Sequence, residues 1–393
     1  MAVNSHKVKL IFVMLAILLV SINLRPAISS IGPVLDSIRI DLDLTNSQVS
    51  LLTAVPVFCM GLFAPFAVTF NKMFGIRNSI VILLMIIGVF TFFRGLYPSY
   101  PVLLISSFLI GLAIAIISPL LSALIKRDFP RRTVPLIGLF SFGMGLGAAL
   151  SAGLTGVFYT YFSWPWALGI WGLLAVAALF AWLIIIPSKE EKPNLKMPGD
   201  VSVSPWKNPL AWYMLLFFAF QSAFFFSLIT WLAPIAIDRG MSVLEAGAVL
   251  TVMTVVQIFG NILFPFLLSK YPNRLMWILI VSGFGALGIL FLMAGGTALI
   301  WLASICLGIT LGGLFPIALL MPLDATDSAE DTNSWTAMIQ SGGYVISGCT
   351  PFLIGVLYDR FESHNITLAM FLIFIALITI FAVMISKQQK KLR

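Results

Sequence analysis

Charge is what this chain has least of. Of its 393 residues, 10% are charged and 60% hydrophobic, whereas an ordinary soluble domain carries about 25% charged residues. A globule of this composition would lack the polar surface it needs in water, so the chain reads as a polytopic membrane protein. Cysteine is scarce as well: Cys59, Cys306 and Cys349 stand singly inside apolar runs, which excludes a disulfide framework. The two histidines, His6 and His364, lie near segment ends, and nothing has the spacing of a metal site. Paired carboxylates, a glycine-rich phosphate loop and a set of nucleophile, base and orienter are all missing from the apolar segments, so neither an enzyme nor a cofactor is expected. No loop is long enough to fold alone, which weighs against a membrane receptor. The first apolar run follows Lys7 and Lys9. It is longer than a signal-peptide core and has no small-residue cleavage site, so it is expected to remain as a helix.

What the chain has is apolar length. Runs of about 20 residues or more predict twelve spans, at 10–36, 47–70, 77–97, 101–125, 134–159, 164–187, 211–237, 244–269, 275–295, 297–322, 335–358 and 366–386. With both termini cytoplasmic, eighteen Lys and Arg fall in inner segments and three, Arg39, Arg239 and Arg360, in outer ones. This positive-inside bias accounts for the net charge of +8 without nucleic acid as a partner. Arg25 and Arg94 remain inside spans. One inner loop is acidic, with Asp324, Asp327, Glu330 and Asp331. It is expected to be solvated, the alternative being closure against Lys126, Arg127, Arg131 and Arg132.

The longest polar stretch, Ser188 to Asn208, falls near the middle of the chain and reads as a linker. It divides the chain into an N-terminal six-helix bundle (1–187), a cytoplasmic linker (188–210) and a C-terminal six-helix bundle (211–393). The halves echo each other: Pro33 and Pro234, Pro65 and Pro265, and Pro119 and Pro316 each recur about 200 residues apart. The expected fold is all-α, with twelve transmembrane helices in two pseudo-symmetric bundles.

Five blocks carry a resemblance. They are Asn23-Leu24-Arg25-Pro26-Ala27, Ile125-Lys126-Arg127-Asp128-Phe129-Pro130, and Phe220-Gln221-Ser222 with Trp231-Leu232 and Asp238-Arg239-Gly240. Gly312-Gly313-Leu314-Phe315-Pro316 and Gln340-Ser341-Gly342-Gly343-Tyr344 complete the set. In this order, over nearly the whole chain, they resemble the cyanate-permease and 2-nitroimidazole-transporter branch of the major facilitator superfamily. The resemblance implies the major facilitator fold, a substrate site near the midplane between the halves, and a carrier of small anionic or polar molecules in a bacterial cytoplasmic membrane. One departure stands out. In the loop after the second span Gly75 and Arg77 keep the superfamily pattern, but Lys72 and Met73 occupy its Asp and Arg places, which puts a latch role for that loop in doubt.

Arg25 is the candidate for binding. At ~1.5 Å per residue it lies about 24 Å from Lys9 and 16 Å from Asp36, too deep to snorkel. On an unbroken helix Ser21, Arg25 and Ser29 share a face, a polar stripe suited to a planar anion. Asn23 points elsewhere, toward a neighbouring helix, and Pro26 frees the carbonyl of Ile22 or kinks the helix. Arg94, near the end of its span, is expected to snorkel outward. Gln221, the pair Gln257 and Asn261, and the pair Gln340 and Tyr344 are candidate cavity residues, the pairs because i, i+4 spacing puts each on one face. Asp36 reads as an ordinary helix-end carboxylate, the alternative being an outer gate or coupling residue, and Pro119, Gly312, Gly313 and Pro316 are candidate bending points.

The expected function is secondary transport of a small anionic or polar solute, cyanate-like or nitroimidazole-like, by alternating access, with Arg25 in the central site. A structural pairing of Arg25 is the competing reading of that residue. A proton-coupled drug efflux antiporter is the alternative function, and a non-transporting receptor the third. A small-molecule substrate and the lipid bilayer are the expected partners, and a monomer the expected state.

Overall fold

Inside a bilayer every backbone N–H and C=O must find a partner within the protein, so apolar runs of this length fold as helices. The computed structural model describes residues 2–186, 204–326 and 328–392. Among these residues, twelve helices are long and apolar enough to span a membrane. The first half holds α1 (Ile11–Asp41), α2 (Asn46–Phe63), α3 (Phe66–Leu96), α4 (Tyr100–Asp128), α5 (Pro135–Tyr161) and α6 (Trp164–Ile185). The second holds α7 (Pro209–Asp238), α8 (Val243–Lys270), α9 (Arg274–Ala294), α10 (Thr297–Ala325), α11 (Asp331–Phe361) and α12 (His364–Gln389). No strand occurs among the described residues.

Local chemistry sets the boundaries, and it repeats between the halves. Gln48 N donates to Thr45 Oγ1 (3.2 Å) and Thr45 N to Gln48 Oε1 (2.9 Å), a reciprocal cap that starts α2. Ser242 and Glu245 make the same pair at the start of α8. Ala64 and Pro65 keep helical angles, so α2 bends there and runs on; the chain reverses at Gly75, with φ +72° and ψ 163°. Arg77, just past the reversal, donates from Nε to Ile186 O (2.6 Å) and from Nη2 to Leu183 O (3.0 Å), satisfying the end of α6.

Equivalent close approaches tie each bundle together. A Cβ on Gly111 of α4 would lie 2.5 Å from Pro56 Cα in α2, and one on Gly308 of α10 would lie 2.6 Å from Met253 O in α8. Small residues at such crossings let backbones touch, which is how membrane helices gain packing without a hydrophobic driving force.

The bundles meet through α2 with α11, α5 with α8 and α1 with α7. At the end away from the linker, here the distal end, Asp359 of α11 accepts from Asn46 N (2.8 Å), Asn46 Nδ2 (2.9 Å) and Ser47 N (2.8 Å) at the start of α2. Deeper in, Thr230 Oγ1 donates to Thr53 Oγ1 across the same seam (2.9 Å). At the linker end Asp324 of the acidic loop is exposed and pairs with Arg274 Nη2 (2.5 Å) within the second bundle. Arg127 pairs with its neighbour Asp128 (2.7 Å). Asp327 lies outside the described residues, as do the side chains of Glu330 and Arg131. So does most of the predicted linker 188–210, whose described end holds the short 3-10 turn Pro205–Lys207 before α7.

Candidate functional site

The site begins with a broken helix. Pro26 lacks an N–H and its ring crowds the preceding turn. Accordingly the first helical stretch ends at Asn23, Arg25 adopts φ −120° and ψ −33°, and a four-residue turn, Pro26–Ser29, leads to the stretch Ile31–Asp41. The carbonyl of Ile22 packs against Gly147 of α5, so closely that a Cβ at 147 would overlap its oxygen. Asn23 behaves as its sequence position suggests, donating from Nδ2 to Leu19 O (2.8 Å) and across to Leu174 O of α6 (3.1 Å).

The break dissolves the polar stripe expected of an unbroken helix. Ser21 is buried, donates to Ile17 O (2.6 Å) and packs against Gly143. Ser29 is buried as well, and neither serine lines the cavity that Arg25 faces. That cavity lies between the bundles and contains about 610 Å³ of empty space, its open mouth included. Arg25 enters it from α1; Ser141, Met144, Gly145 and Ala148 from α5; and Gln221, Ser222, Phe225 and Phe226 from α7. Thr254, Gln257, Ile258 and Asn261 of α8, Phe315 of α10 and Tyr344 of α11 complete it.

The Arg25 guanidinium lies over two aromatic faces, 5.5 Å from the Phe225 ring and 5.6 Å from the Phe226 ring. Such contacts stabilise a cation by about 0.5–2 kcal/mol. Among the described residues no hydrogen bond or ion pair satisfies the guanidinium. Amides and hydroxyls share the cavity with it. Gln221 is buried and accepts from Ser222 Oγ (3.4 Å), and Asn261 Oδ1 has no partner among the described residues. Gln257 is set by the contact of its backbone with Gly312 of α10. Tyr344 packs edge-on against Phe218 (5.2 Å) and Phe226 (6.2 Å).

Of the residues expected at the site, Arg25, Gln221, Gln257, Asn261 and Tyr344 therefore meet at one cavity, while Ser21, Ser29 and Gln340 stand off its lining. The α5 residues were not legible as lining, because small and apolar residues at a helix crossing give no polar signal. Phe225 and Phe226 stand in the run Phe224-Phe225-Phe226, whose apolar rings give no polar signal either.

Arg94 corrects the snorkelling expectation. It is 1% exposed, and donates from Nε to Ser106 Oγ (2.8 Å), from Nη1 to Ala27 O (2.9 Å) and from Nη2 to Ser107 Oγ (2.9 Å). Hydroxyls on α4 and a carbonyl freed in broken α1 capture it before it reaches the surface. Asp36 is half-buried at the distal end, 3.5 Å from Arg39 Nε. Pro119 and Pro316 both sit inside continuous helices. Gly312 lies against Gly260, and Gly313 against Val281 and Phe264.

The family model described as Major Facilitator Superfamily matches residues 11–348. The chain belongs to the Major Facilitator Superfamily. Among this facilitator's relatives, the cyanate transport protein CynX of Escherichia coli (strain K12) is 34% identical over 88% of this chain and 89% of its own length. The 2-nitroimidazole transporter of the same organism is 30% identical over 95% of both chains. In fold, the crystal structure of a D-xylose-proton symporter superposes with a TM-score of 0.78 at 13% identity, covering 96% of this chain and 97% of that one. The protein is thus a multi-pass membrane protein of a transporter family, with the superfamily's two six-helix bundles, and not an enzyme.

Proposed function

We propose that this facilitator is a secondary transporter that moves a small anionic or polar solute across a bacterial cytoplasmic membrane by alternating access. One observation carries the reading: a guanidinium without a bonding partner among the described residues faces the cavity between the bundles. A charge kept inside a membrane protein without a counter-ion is functional by default. The natural partner is the solute, held by the planar fork of Arg25. Gln221, Gln257, Asn261 and Tyr344 supply donors and acceptors to its other edge. The relatives' cargoes, cyanate and 2-nitroimidazole, are small enough for such a cavity and present electron-rich oxygens to a guanidinium.

In this reading the linker end and both termini face the cytoplasm, in line with the distribution of Lys and Arg. The bundles 1–187 and 211–393 rock about the site, with Pro119, Gly312, Gly313 and Pro316 as bending points and Asp36 at the outer mouth. The protein works as a monomer. No carboxylate is among the described lining residues, so a proton-coupled drug antiporter is not favoured.

The test is uptake of cyanate and of 2-nitroimidazole into proteoliposomes. Arg25→Lys keeps the charge but loses the fork, and is expected to cut transport about tenfold or more, while Arg25→Ala abolishes it. Undiminished transport by Arg25→Ala would sink the proposal.

A further inference from the structure

We propose that Arg94 is the positioning residue for Arg25, fixing the direction in which Arg25 enters the cavity. The inference rests on Arg25 as the solute-binding group, and adds a part of the site that touches no solute.

The backbone of α1 is interrupted on both sides of the turn Pro26–Ser29. Pro26 removes one donor, and Pro33 removes the donor that would have bonded the carbonyl of Ser29. The described backbone bonds at the second interruption include Ser30 N to Pro26 O (3.0 Å), and the bond from Ile31 N to Ala27 O that an unbroken helix would make is absent. Ala27 O is taken by Arg94 Nη1 instead, at 2.9 Å. A turn this short does not stabilise itself, so its orientation depends on what its exposed backbone groups bind. Arg25 is the residue that opens it.

Arg94 is itself rigidly held. Its Nε and Nη2 donate to Ser106 and Ser107 on α4, and Ser106 Oγ in turn donates to Leu103 O (2.7 Å). This fixes which way its lone pairs point. The guanidinium thus forms a planar strut from the backbone of α4 to the second residue after Arg25. A lysine would deliver the same charge as a point on a flexible stem, without spanning the two hydroxyls and the carbonyl. Burying a guanidinium without a carboxylate is costly; a strut that sets the site's charged group explains why arginine stands there.

The test uses the full-length protein purified in detergent, with potassium cyanate and 2-nitroimidazole as probes, reading probe Kd by titration and melting temperature without probe. Arg94→Lys and Ser107→Ala are both expected to raise Kd about tenfold. Ser107→Thr, which keeps the hydroxyl, is expected to stay within about twofold of the parent. A lower melting temperature with unchanged Kd in Arg94→Lys and Ser107→Ala would mean that Arg94 only braces the fold, and would overturn the proposal. If Arg94→Lys does not fold, Ser107→Ala decides alone. Arg25→Lys separates the two levels: weakened binding there with normal Kd in the Arg94 and Ser107 variants overturns the strut only. Unchanged binding in Arg25→Lys, or no binding of either probe by the parent, overturns the reading of Arg25 as well.

Discussion

The carboxylate of Asp359 joins the two bundles at one end only, so replacing it should shift the balance between closed and open states at that end. It accepts three hydrogen bonds from the first turn of α2, two from backbone N–H groups and one from the Asn46 side chain, at 2.8–2.9 Å. The N–H groups at a helix start have no partner within the helix, and the helix dipole favours an anion there. Bonds to a charged acceptor contribute about 1.5–3 kcal/mol each when dry. Asp359 is half-exposed, and with water competing we take about 2 kcal/mol for the three together. Because Asp359 is on α11 and its donors are on α2, this energy belongs to the distally closed arrangement and vanishes when the bundles part. Asp359→Asn should therefore raise the ratio of distally open to closed protein by up to roughly thirtyfold. Pulsed electron resonance between spin labels at Ile40 and Phe361, both exposed at the distal end on opposite bundles, would show a longer-distance population growing in the variant. A distance distribution identical to the parent's, in a folded variant, would refute the idea that these bonds discriminate between states.

Two further outcomes follow from contacts around Arg25. Gly147→Ala places a Cβ on the Ile22 carbonyl, and overpacking of this kind costs about 1–3 kcal/mol; a lower melting temperature in detergent is expected, and an unchanged one would contradict so close a crossing of α1 and α5. Phe226→Leu keeps an apolar side chain but removes a ring lying 5.6 Å from the Arg25 guanidinium, so probe Kd should rise several-fold while Phe226→Tyr retains binding; equal Kd in all three proteins would show that the ring does not hold the cation.

The fold was legible because a bilayer leaves a chain few choices. Apolar length, the sorting of Lys and Arg and prolines repeating between the halves were enough for twelve helices in two bundles. Smaller devices appear only in three dimensions. The bend at Ala64 and Pro65 and the reversal at Gly75 show only in backbone angles, and Asp359 reads in sequence as an ordinary helix-end carboxylate until its partners 312 and 313 residues away are known.

The cavity lining was partly legible, and the misplaced serines have one cause. Reading α1 as one helix singled out Arg25, and isolated amides and a tyrosine in apolar spans pointed to Gln221, Gln257, Asn261 and Tyr344, which line the same cavity. The same assumption misplaced Ser21 and Ser29, since i, i+4, i+8 spacing has meaning only while the helix continues. Pro26 was in view, yet its consequence was not local. A second interruption, just before Ile31 and ahead of Pro33, leaves the Ala27 carbonyl without its helical donor, and the donor is Arg94, an arginine that hydropathy alone would send to the membrane surface. A short turn broken at both ends beside one intramembrane arginine is therefore a reason to look for a second arginine as its support.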